Sequence, residues 1–277
     1  MGKSLLSTLF PPFFKPPANN LAARRQLATV LGLVVALFVL IPDLRYALWR
    51  LVEYPMHYQE YRHFGIPLPG RYEVHGIDVS RYQHKIDWAR VKRMEVGKVH
   101  MSFVFIKATE GSWLKDAYFN HNWKQARSEG LIRGAYHYFL PDISPKDQAK
   151  HFIRTVKLSP GDLPPVVDVE EKRGMSREQV RTHTKMFMDL LQKHYGVKPI
   201  LYTNRDFYKN HFANEPDFEA YPRWIAHYRT NRLSLPDDSD WQFWQHNDEG
   251  RVNGINEPVD FNVFQGSLSE LKKLCVP

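Results

Sequence analysis

Beyond residue 70, short apolar stretches alternate with amphipathic ones, a pattern that predicts strands separated by helices. Eight stretches have the composition of buried strands: YEVHGIDVS, SFVFIKAT, IRGAYHYF, PPVVDVE, KPILYTN, RWIAHY, WQFWQH and VDFNVF. The segments between the earlier ones predict helices over Trp88–Val96, Phe119–Glu129, Lys146–Val156 and Ser176–Tyr195. The last of these begins with Ser176 and Gln179 in capping-box spacing and stops at Gly196.

Strands that are followed by helices form parallel β/α units, and about eight of them in residues 71–277 favour a closed barrel over an open sheet. The later connections, RTNRLSLPDDSD and NDEGRVNGINEP, are polar and rich in turn formers, so they cannot contain full barrel helices. No glycine-rich phosphate loop opens a predicted helix, so dinucleotide binding is not indicated. The pattern therefore predicts an α/β fold, an irregular (β/α) TIM-like barrel.

The N-terminal part of the chain has a different pattern. The stretch QLATVLGLVVALFVLIP, residues 26–42, contains no charge and is close to the lower limit of about 17 residues for spanning a bilayer. A cleaved signal peptide would need a shorter charged region and a small-residue cleavage site, and a core helix would need a polar face. We therefore predict an N-terminal transmembrane helix, with Tyr46 and Trp49 at the membrane interface.

Charge next to this span predicts its orientation. Arg24 and Arg25 precede it directly, which favours a cytoplasmic N-terminus and an exported remainder. The predicted organisation is a cytoplasmic tail (1–25), a single-pass anchor (26–48), a linker (49–70) that includes HFGIPLPG, and a barrel domain (71–277). The barrel domain is accordingly expected outside the cytoplasm, in the periplasm or at the cell surface.

Composition narrows the classes of function. The net charge is +8, and residues 1–70 contribute +4 of it, with seven Lys/Arg against three Asp/Glu. The remainder has no dense basic run, so nucleic-acid binding is not expected. The single cysteine, Cys275, excludes an intramolecular disulfide and a multi-cysteine zinc site. A monomer is expected.

Four acidic residues fall at or near the predicted strand ends, where barrels carry their chemistry: Asp78, Asp168, Glu170 and Asp260. Side chains alternate along a strand, so Asp168 and Glu170 in LPPVVDVEEK share one face. Two carboxyl groups on one face are either charge-paired or chemically active. The first possibility stays open at this point: Asp168 could be buried and paired with Lys107 or an arginine, with Glu170 in solvent beside Glu171.

Aromatic residues lie in comparable places, which suits a carbohydrate because flat rings stack on the C–H faces of sugars. The candidates for substrate binding are Tyr138, Tyr202, Trp224, Tyr228 and Trp244. Each could equally be a core residue. His75 and His137 are interpreted as core or rim histidines in preference to metal ligands, and Glu171 as a solvated acid.

The segments GIDVSRYQ, FVFIKATEG, GLIRGAYHYF, PPVVDVE, ILYTN, WIAHY and WQFWQHNDEGRVNGINEPVDFNVF, taken in this order and spacing, resemble the family 25 glycoside hydrolases. These are lysozymes that cut bacterial peptidoglycan as N-acetylmuramidases. The resemblance extends from about Val74 to Phe264. It implies a (β/α)5(β)3 barrel that acts on peptidoglycan glycan strands, with no metal and no cofactor.

Carried over by position, the resemblance implies that Glu170 is the general acid and Asp168 its partner carboxylate. Asp78 and Asp260 match the other acids of the cleft, while Tyr138, Tyr202, Trp224 and Tyr228 fall where sugar subsites are expected. Two mechanisms stay open for the second step. Asp78 or Asp168 could activate water, or the substrate's own 2-acetamido group could attack the anomeric carbon.

Two other classes of function compete with a muramidase. One is a non-catalytic barrel that binds envelope glycans, which would not require Asp168 and Glu170 together. The other is a metal-dependent hydrolase that uses Asp78, His75 and the acids of the DVE segment.

Overall fold

The computed structural model describes residues 58–230 and 232–277. The predicted cytoplasmic tail and membrane anchor, residues 1–25 and 26–48, lie outside the described residues. Among the helices within the described ranges, none combines the length and the apolar character needed to cross a bilayer.

Twelve strands and seven helices follow one another along the described residues. The strands are β1 (Tyr58–Tyr61), β2 (Ile66–Pro69), β3 (Val74–Val79), β4 (Glu95–Val96), β5 (Val99–Glu110), β6 (Leu114–Lys115), β7 (Ile132–Tyr138), β8 (Val166–Asp168), β9 (Ile200–Asn204), β10 (Arg223–Ala226), β11 (Phe243–Gly250) and β12 (Val259–Phe264). The helices are α1 (Trp88–Arg93), α2 (Phe119–Ser128), α3 (Pro145–Thr155), α4 (Arg177–Tyr195), α5 (Arg205–His211), α6 (Pro216–Glu219) and α7 (Leu268–Leu274).

Eight of the strands close into a barrel in the order β3, β5, β7, β8, β9, β10, β11, β12, with β12 returning to β3. Neighbouring strands are parallel from β3 round to β11, whereas β12 is antiparallel to both β11 and β3. These are the eight strands predicted from the sequence, so the barrel prediction is confirmed. Helices connect the strands as far as β10, and the described residues between β10 and β12 contain none.

Local signals explain where the helices begin and end. The predicted capping box of α4 is present, since the Ser176 hydroxyl accepts from the Gln179 N–H at 3.2 Å while the Gln179 side chain accepts from the Ser176 N–H at 2.9 Å. Gly196 ends the helix in the left-handed region at φ 73°. Helix α1 stops at Arg93, earlier than predicted, because Glu95–Val96 pairs with β5.

The segment expected to be a linker is folded from residue 58 onward. Strands β1 and β2 form an antiparallel hairpin, and Phe64, Ile66 and Leu68 are buried in the hydrophobic core. The Phe64 carbonyl accepts from the Arg251 N–H at 2.9 Å, and its ring meets that of Phe261 at 5.4 Å. This corrects the linker prediction. The physical reason is that the outer faces of β11 and β12 are apolar and have no barrel helix to cover them, so the hairpin buries them.

Aromatic rings fill the interior of the barrel. The ring of Phe105 stacks on that of Trp224 at 4.2 Å between centroids, and it contacts Phe103 and Phe243 edge-on. Gly134 makes room for this cluster, because a Cβ there would lie 2.5 Å from the Phe105 ring. The rings form a solid floor, so ligands can enter only from the end of the barrel above it.

Candidate active site

A cleft of about 260 Å³ lies at the C-terminal end of the parallel strands. Because β12 runs antiparallel, its first residues reach this same end, and Asp260 lies opposite Asp78 in the strand register. The cleft brings together the four acids that the sequence singled out. Its lining consists of Asp78, Val79, Ser80, Tyr82, Gln83, Lys107, Tyr136, Tyr138, Asp168, Glu170, Tyr202, Trp224, Tyr228, Gln245 and Asp260.

Asp78 and Asp260 form a hydrogen-bonded carboxyl pair. Burial raises the pKa of Asp260 to about 9, with a further contribution from the negative charge of Asp78. Burial also raises the pKa of Asp78, but only to about 6, because it accepts hydrogen bonds from amide groups. At neutral pH, therefore, Asp260 carries the proton of the pair and Asp78 carries the negative charge.

Two amides hold Asp78 in place. Its Oδ2 atom accepts from Nε2 of Gln245 at 2.9 Å and from Nδ2 of Asn262 at 2.7 Å. Both amides point inward from neighbouring strands and are buried. Hydrogen bonds to the ionised form of a carboxyl group favour that form, so the two amides keep Asp78 charged despite its burial.

Asp168 and Glu170 form a second pair of acids, at the end of β8 and just beyond it. Burial raises the pKa of both groups, and the charge of Glu170 raises that of Asp168 further. The Oδ1 atom of Asp168 is buried and has no hydrogen-bond partner among the described residues. Neighbouring buried carboxylates resist ionising together, so this pair retains a proton to higher pH than an isolated carboxyl group does.

Lys107 is the cation in the cleft lining. It does not form an ion pair with Asp168, although the sequence leaves that pairing open. Its Nζ atom binds Glu110 at 2.7 Å and lies 4.8 Å from the ring centroid of Tyr138. The charge of Lys107 still lowers the pKa of Asp168 and Glu170, opposing their burial. The two acids thus remain free of a direct ion pair within the described part of the chain.

Glu171 is exposed, as predicted, but it also has a structural contact. The Tyr138 hydroxyl donates to Glu171 Oε1 at 2.6 Å, and Arg173 lies 3.8 Å from Glu171 Oε2 while also binding Asp142 at 2.6 Å. These contacts link the loop after β8 to the end of β7 and fix the Tyr138 ring on the rim of the cleft.

Four of the five predicted aromatic residues line the cleft, in three kinds of position. Tyr138 lines the rim, and Tyr202 and Tyr228 line the wall with both hydroxyls directed at Gln245. Trp224 is 1% exposed and belongs to the aromatic floor, where its Nε1 atom donates to Asn262 Oδ1 at 2.7 Å. Only a very small part of its side chain is therefore open to a ligand.

Trp244 is not in the cleft, which corrects its assignment to substrate binding. The side chain is 0% exposed, and its ring meets those of Tyr72 and Trp241 on the outer side of the barrel. Alternation along β11 is the reason, since Gln245 points inward and its neighbour must point outward. The same rule places His75 outside, buried on the face of β3 opposite to Asp78, so the two cannot share a metal ion.

Sequence reasoning missed Asn262 entirely and gave Gln245 no role. Strand alternation could have found both, because Asn262 lies two residues after Asp260 on β12 and Gln245 lies two residues after Phe243 on β11. His137 was interpreted correctly as a core residue, buried between Thr109 at 2.7 Å and Gln148 at 3.1 Å.

The raised pKa of Asp260 predicts a pH-dependent stability. A folded-state pKa of about 9 against an ordinary 3.8 means that the folded protein binds more protons between these values, so the free energy of unfolding falls as pH rises through that window. Asp260→Asn keeps a donor for Asp78 but cannot ionise. We expect the free energy of unfolding, measured in urea, to fall less steeply for this variant than for the wild type between about pH 4 and about pH 9.

The matched control is Glu249→Gln, which replaces an exposed acid of the same sheet region. It should leave the pH slope of the wild type unchanged. An Asp260→Asn variant with the wild-type slope would mean that Asp260 ionises normally in the folded protein.

Comparison with known proteins identifies the family. Residues 77–255 match the sequence profile of Glycosyl hydrolases family 25. The chain belongs to this family. It is therefore a glycoside hydrolase, as the sequence resemblance implied, and the acids of the cleft lie in an enzyme of the family 25 barrel type.

Individual proteins are similar to this chain over most of its length. A family 25 glycosyl hydrolase from Bacillus anthracis superposes with a TM-score of 0.68 at 36% identity, covering 78% of this chain and 99% of that one. Lysozyme M1 of Streptomyces globisporus is 34% identical over 213 residues, 73% of this chain and 71% of that protein. The uncharacterized protein YegX of Escherichia coli K12 is 46% identical over 217 residues, 78% of each chain.

Proposed function

We propose that the chain is a muramidase that cleaves the β-1,4 bond between N-acetylmuramic acid and N-acetylglucosamine in peptidoglycan, with Glu170 as the general acid. Relatives named lysozyme or N,O-diacetylmuramidase support the substrate class. The observation that carries the proposal is the cleft itself, in which four acids form two pairs with raised pKa values above an aromatic floor.

Glu170 suits the role of acid because burial raises its pKa, which keeps the carboxyl group protonated closer to neutral pH. It is also the more accessible member of its pair, since Asp168 is 6% exposed and Glu170 is half-buried. Asp168 then acts as the partner carboxyl group of Glu170, because two neighbouring carboxyl groups resist ionising together and the pair keeps a proton that either member can hold.

In the proposed first step, Glu170 gives its proton to the glycosidic oxygen as the bond between that oxygen and the anomeric carbon breaks. The carbonyl oxygen of the substrate's 2-acetamido group bonds to the anomeric carbon in its place. Asp78, held as an anion by two amides, accepts the acetamido N–H and stabilises the positive charge that develops there. Water then attacks the anomeric carbon as the bond from that carbon to the acetamido oxygen breaks, and the water gives a proton to the Glu170 carboxylate, so the configuration is retained.

The remaining parts of the proposal concern binding and location. Tyr138 on the rim is proposed to contact the sugar, with Tyr202 and Tyr228 lining the wall. We also propose that residues 26–48 anchor a monomeric enzyme in the membrane, with its barrel outside the cytoplasm and facing peptidoglycan. That part of the proposal depends on the apolar stretch and its flanking arginines alone.

Mass spectrometry of purified peptidoglycan after incubation with the detergent-solubilised chain tests the function. A new reducing end on N-acetylmuramic acid is the expected product. A reducing end on N-acetylglucosamine would move the cut to the other linkage. Co-sedimentation with peptidoglycan but no released fragments would instead favour the non-catalytic glycan-binding barrel.

A further inference from the structure

Two phenols converge on a single amide oxygen at the wall of the cleft. Tyr202 Oη donates to Gln245 Oε1 at 2.7 Å, and Tyr228 Oη donates to the same atom at 2.8 Å. An amide oxygen that accepts two donors cannot exchange places with its NH2 group, so the Nε2 atom of Gln245 stays directed at Asp78. One phenol would be enough to fix this orientation.

The second amide that holds Asp78 has only one such donor among the described residues. Trp224 Nε1 donates to Asn262 Oδ1 at 2.7 Å, and Asn262 Nδ2 donates to Asp78 at 2.7 Å. An indole N–H in a fully buried ring has no alternative acceptor to turn to. One donor is therefore enough to orient Asn262, and the second donor on Gln245 must have another purpose.

Tyr202 has a second neighbour, because its phenol and the Glu170 carboxyl group line the same cleft and a hydrogen bond from the phenol favours the ionised form of Glu170. A phenol has one hydrogen, so it can donate either to Gln245 or to Glu170, but not to both. While Glu170 is protonated, it can donate to Tyr202, which then donates to Gln245. Once Glu170 has lost its proton, the carboxylate requires a donor, and Tyr202 is placed to supply it.

We propose that Tyr202 is a hydroxyl switch that follows the protonation of Glu170, and that Tyr228 is a positioning residue that keeps Gln245, and through it Asp78, in place when Tyr202 turns away. The inference rests on the proposed function and extends it to the interval after the glycosidic bond breaks. In that interval Asp78 faces the charged acetamido group, so a displaced Gln245 amide would slow the reaction most at this stage.

Three variants of the full chain test the switch: Tyr202→Phe, Tyr228→Phe and the double variant. We expect each single change to lower kcat by about 2–10-fold, the range for one neutral hydrogen bond. The double change leaves both Gln245 and the Glu170 carboxylate without a phenol donor, so kcat should fall by the product of the single effects to within about twofold. An excess of about tenfold over that product would mean that both tyrosines hold Gln245 redundantly and that neither turns to Glu170, which would overturn the proposal.

The pH profile separates the two tyrosines, and a purely structural role would not change it. Tyr202→Phe removes a donor to the Glu170 carboxylate, so the pKa of Glu170 rises and the alkaline limb of kcat/KM moves to higher pH. Tyr228→Phe should leave that limb in place, and an equal shift in both variants would contradict the switch.

A matched control is Tyr195→Phe, whose hydroxyl binds the Val156 carbonyl at 3.0 Å outside the cleft. It should keep the wild-type kcat and pH profile, and thermal unfolding of all variants checks that they fold. Wild-type turnover of peptidoglycan is measured in the same assay. Its absence would refute the proposed function, whereas a large excess in the double variant, or equal pH shifts in both single variants, would refute only the switch.

Discussion

Replacing Glu170 with Gln is expected to lower kcat by roughly 10²–10⁴-fold, the usual contribution of general acid catalysis, while the barrel remains folded. Gln has the same shape but no proton to give, so the leaving oxygen departs unprotonated. The side chain lies beyond β8 and faces the cleft, so its replacement disturbs no core packing. The measurement is the rate of release of soluble fragments from peptidoglycan, with thermal unfolding to confirm the fold.

Two comparisons sharpen this test. Glu171→Gln makes the same change one residue further along and keeps an acceptor for the Tyr138 hydroxyl. Its kcat should therefore fall by less than about tenfold. A substrate with a nitrophenol leaving group needs little protonation, so the Glu170→Gln defect should shrink on it. Near-normal activity of Glu170→Gln on peptidoglycan would remove Glu170 as the acid.

Replacing Asp168 with Asn is expected to cost less, roughly 10–100-fold in kcat/KM near neutral pH, because Glu170 then loses the carboxyl group with which it shares a proton. Asp168 is buried, Glu170 is half-buried beside it, and the two carboxyl groups resist ionising at the same time. Without the neighbouring carboxylate, Glu170 loses its proton at lower pH. The alkaline limb of the activity profile should therefore move to lower pH.

The sign of this shift gives the experiment its decisive readout. The ratio of variant to wild-type activity should recover as pH falls, because Glu170 is then protonated in both proteins. A loss that is constant across pH would assign Asp168 to direct contact with the substrate, and near-normal rates would leave it a structural role. Asp217→Asn, an exposed acid of α6 outside the cleft lining, is the matched control and should leave the profile unchanged.

Much of the site could be predicted because strand alternation is a local property of the chain. The segment LPPVVDVEEK places Asp168 and Glu170 on one face wherever that strand lies, and the structure has both in the cleft. The eight strand segments were equally visible, since each is a short apolar run bounded by polar or turn-forming residues. The helices with strong caps, such as α4, followed from the same local signals.

Errors arose where the choice of face needed a neighbouring strand. Trp244 and Gln245 are adjacent in sequence, and nothing local says which of them points into the barrel. The sequence predicts a linker where β1 and β2 form a hairpin, because the packing of this hairpin depends on β11 and β12, which lie far along the chain and lack a covering helix.

The sequence by itself determined the strands, their order, the family resemblance and the pair of acids in VVDVEE. Only the tertiary structure decided how the acids divide into an Asp78–Asp260 pair and an Asp168–Glu170 pair, and which amides and phenols hold them. The physical reason is that closing the barrel brings β12 beside β3 and thereby joins Asp260 and Asn262 to Asp78, residues that are 182 and 184 positions apart in sequence. Burial and pKa values follow from that closure, because they depend on what surrounds a side chain in space.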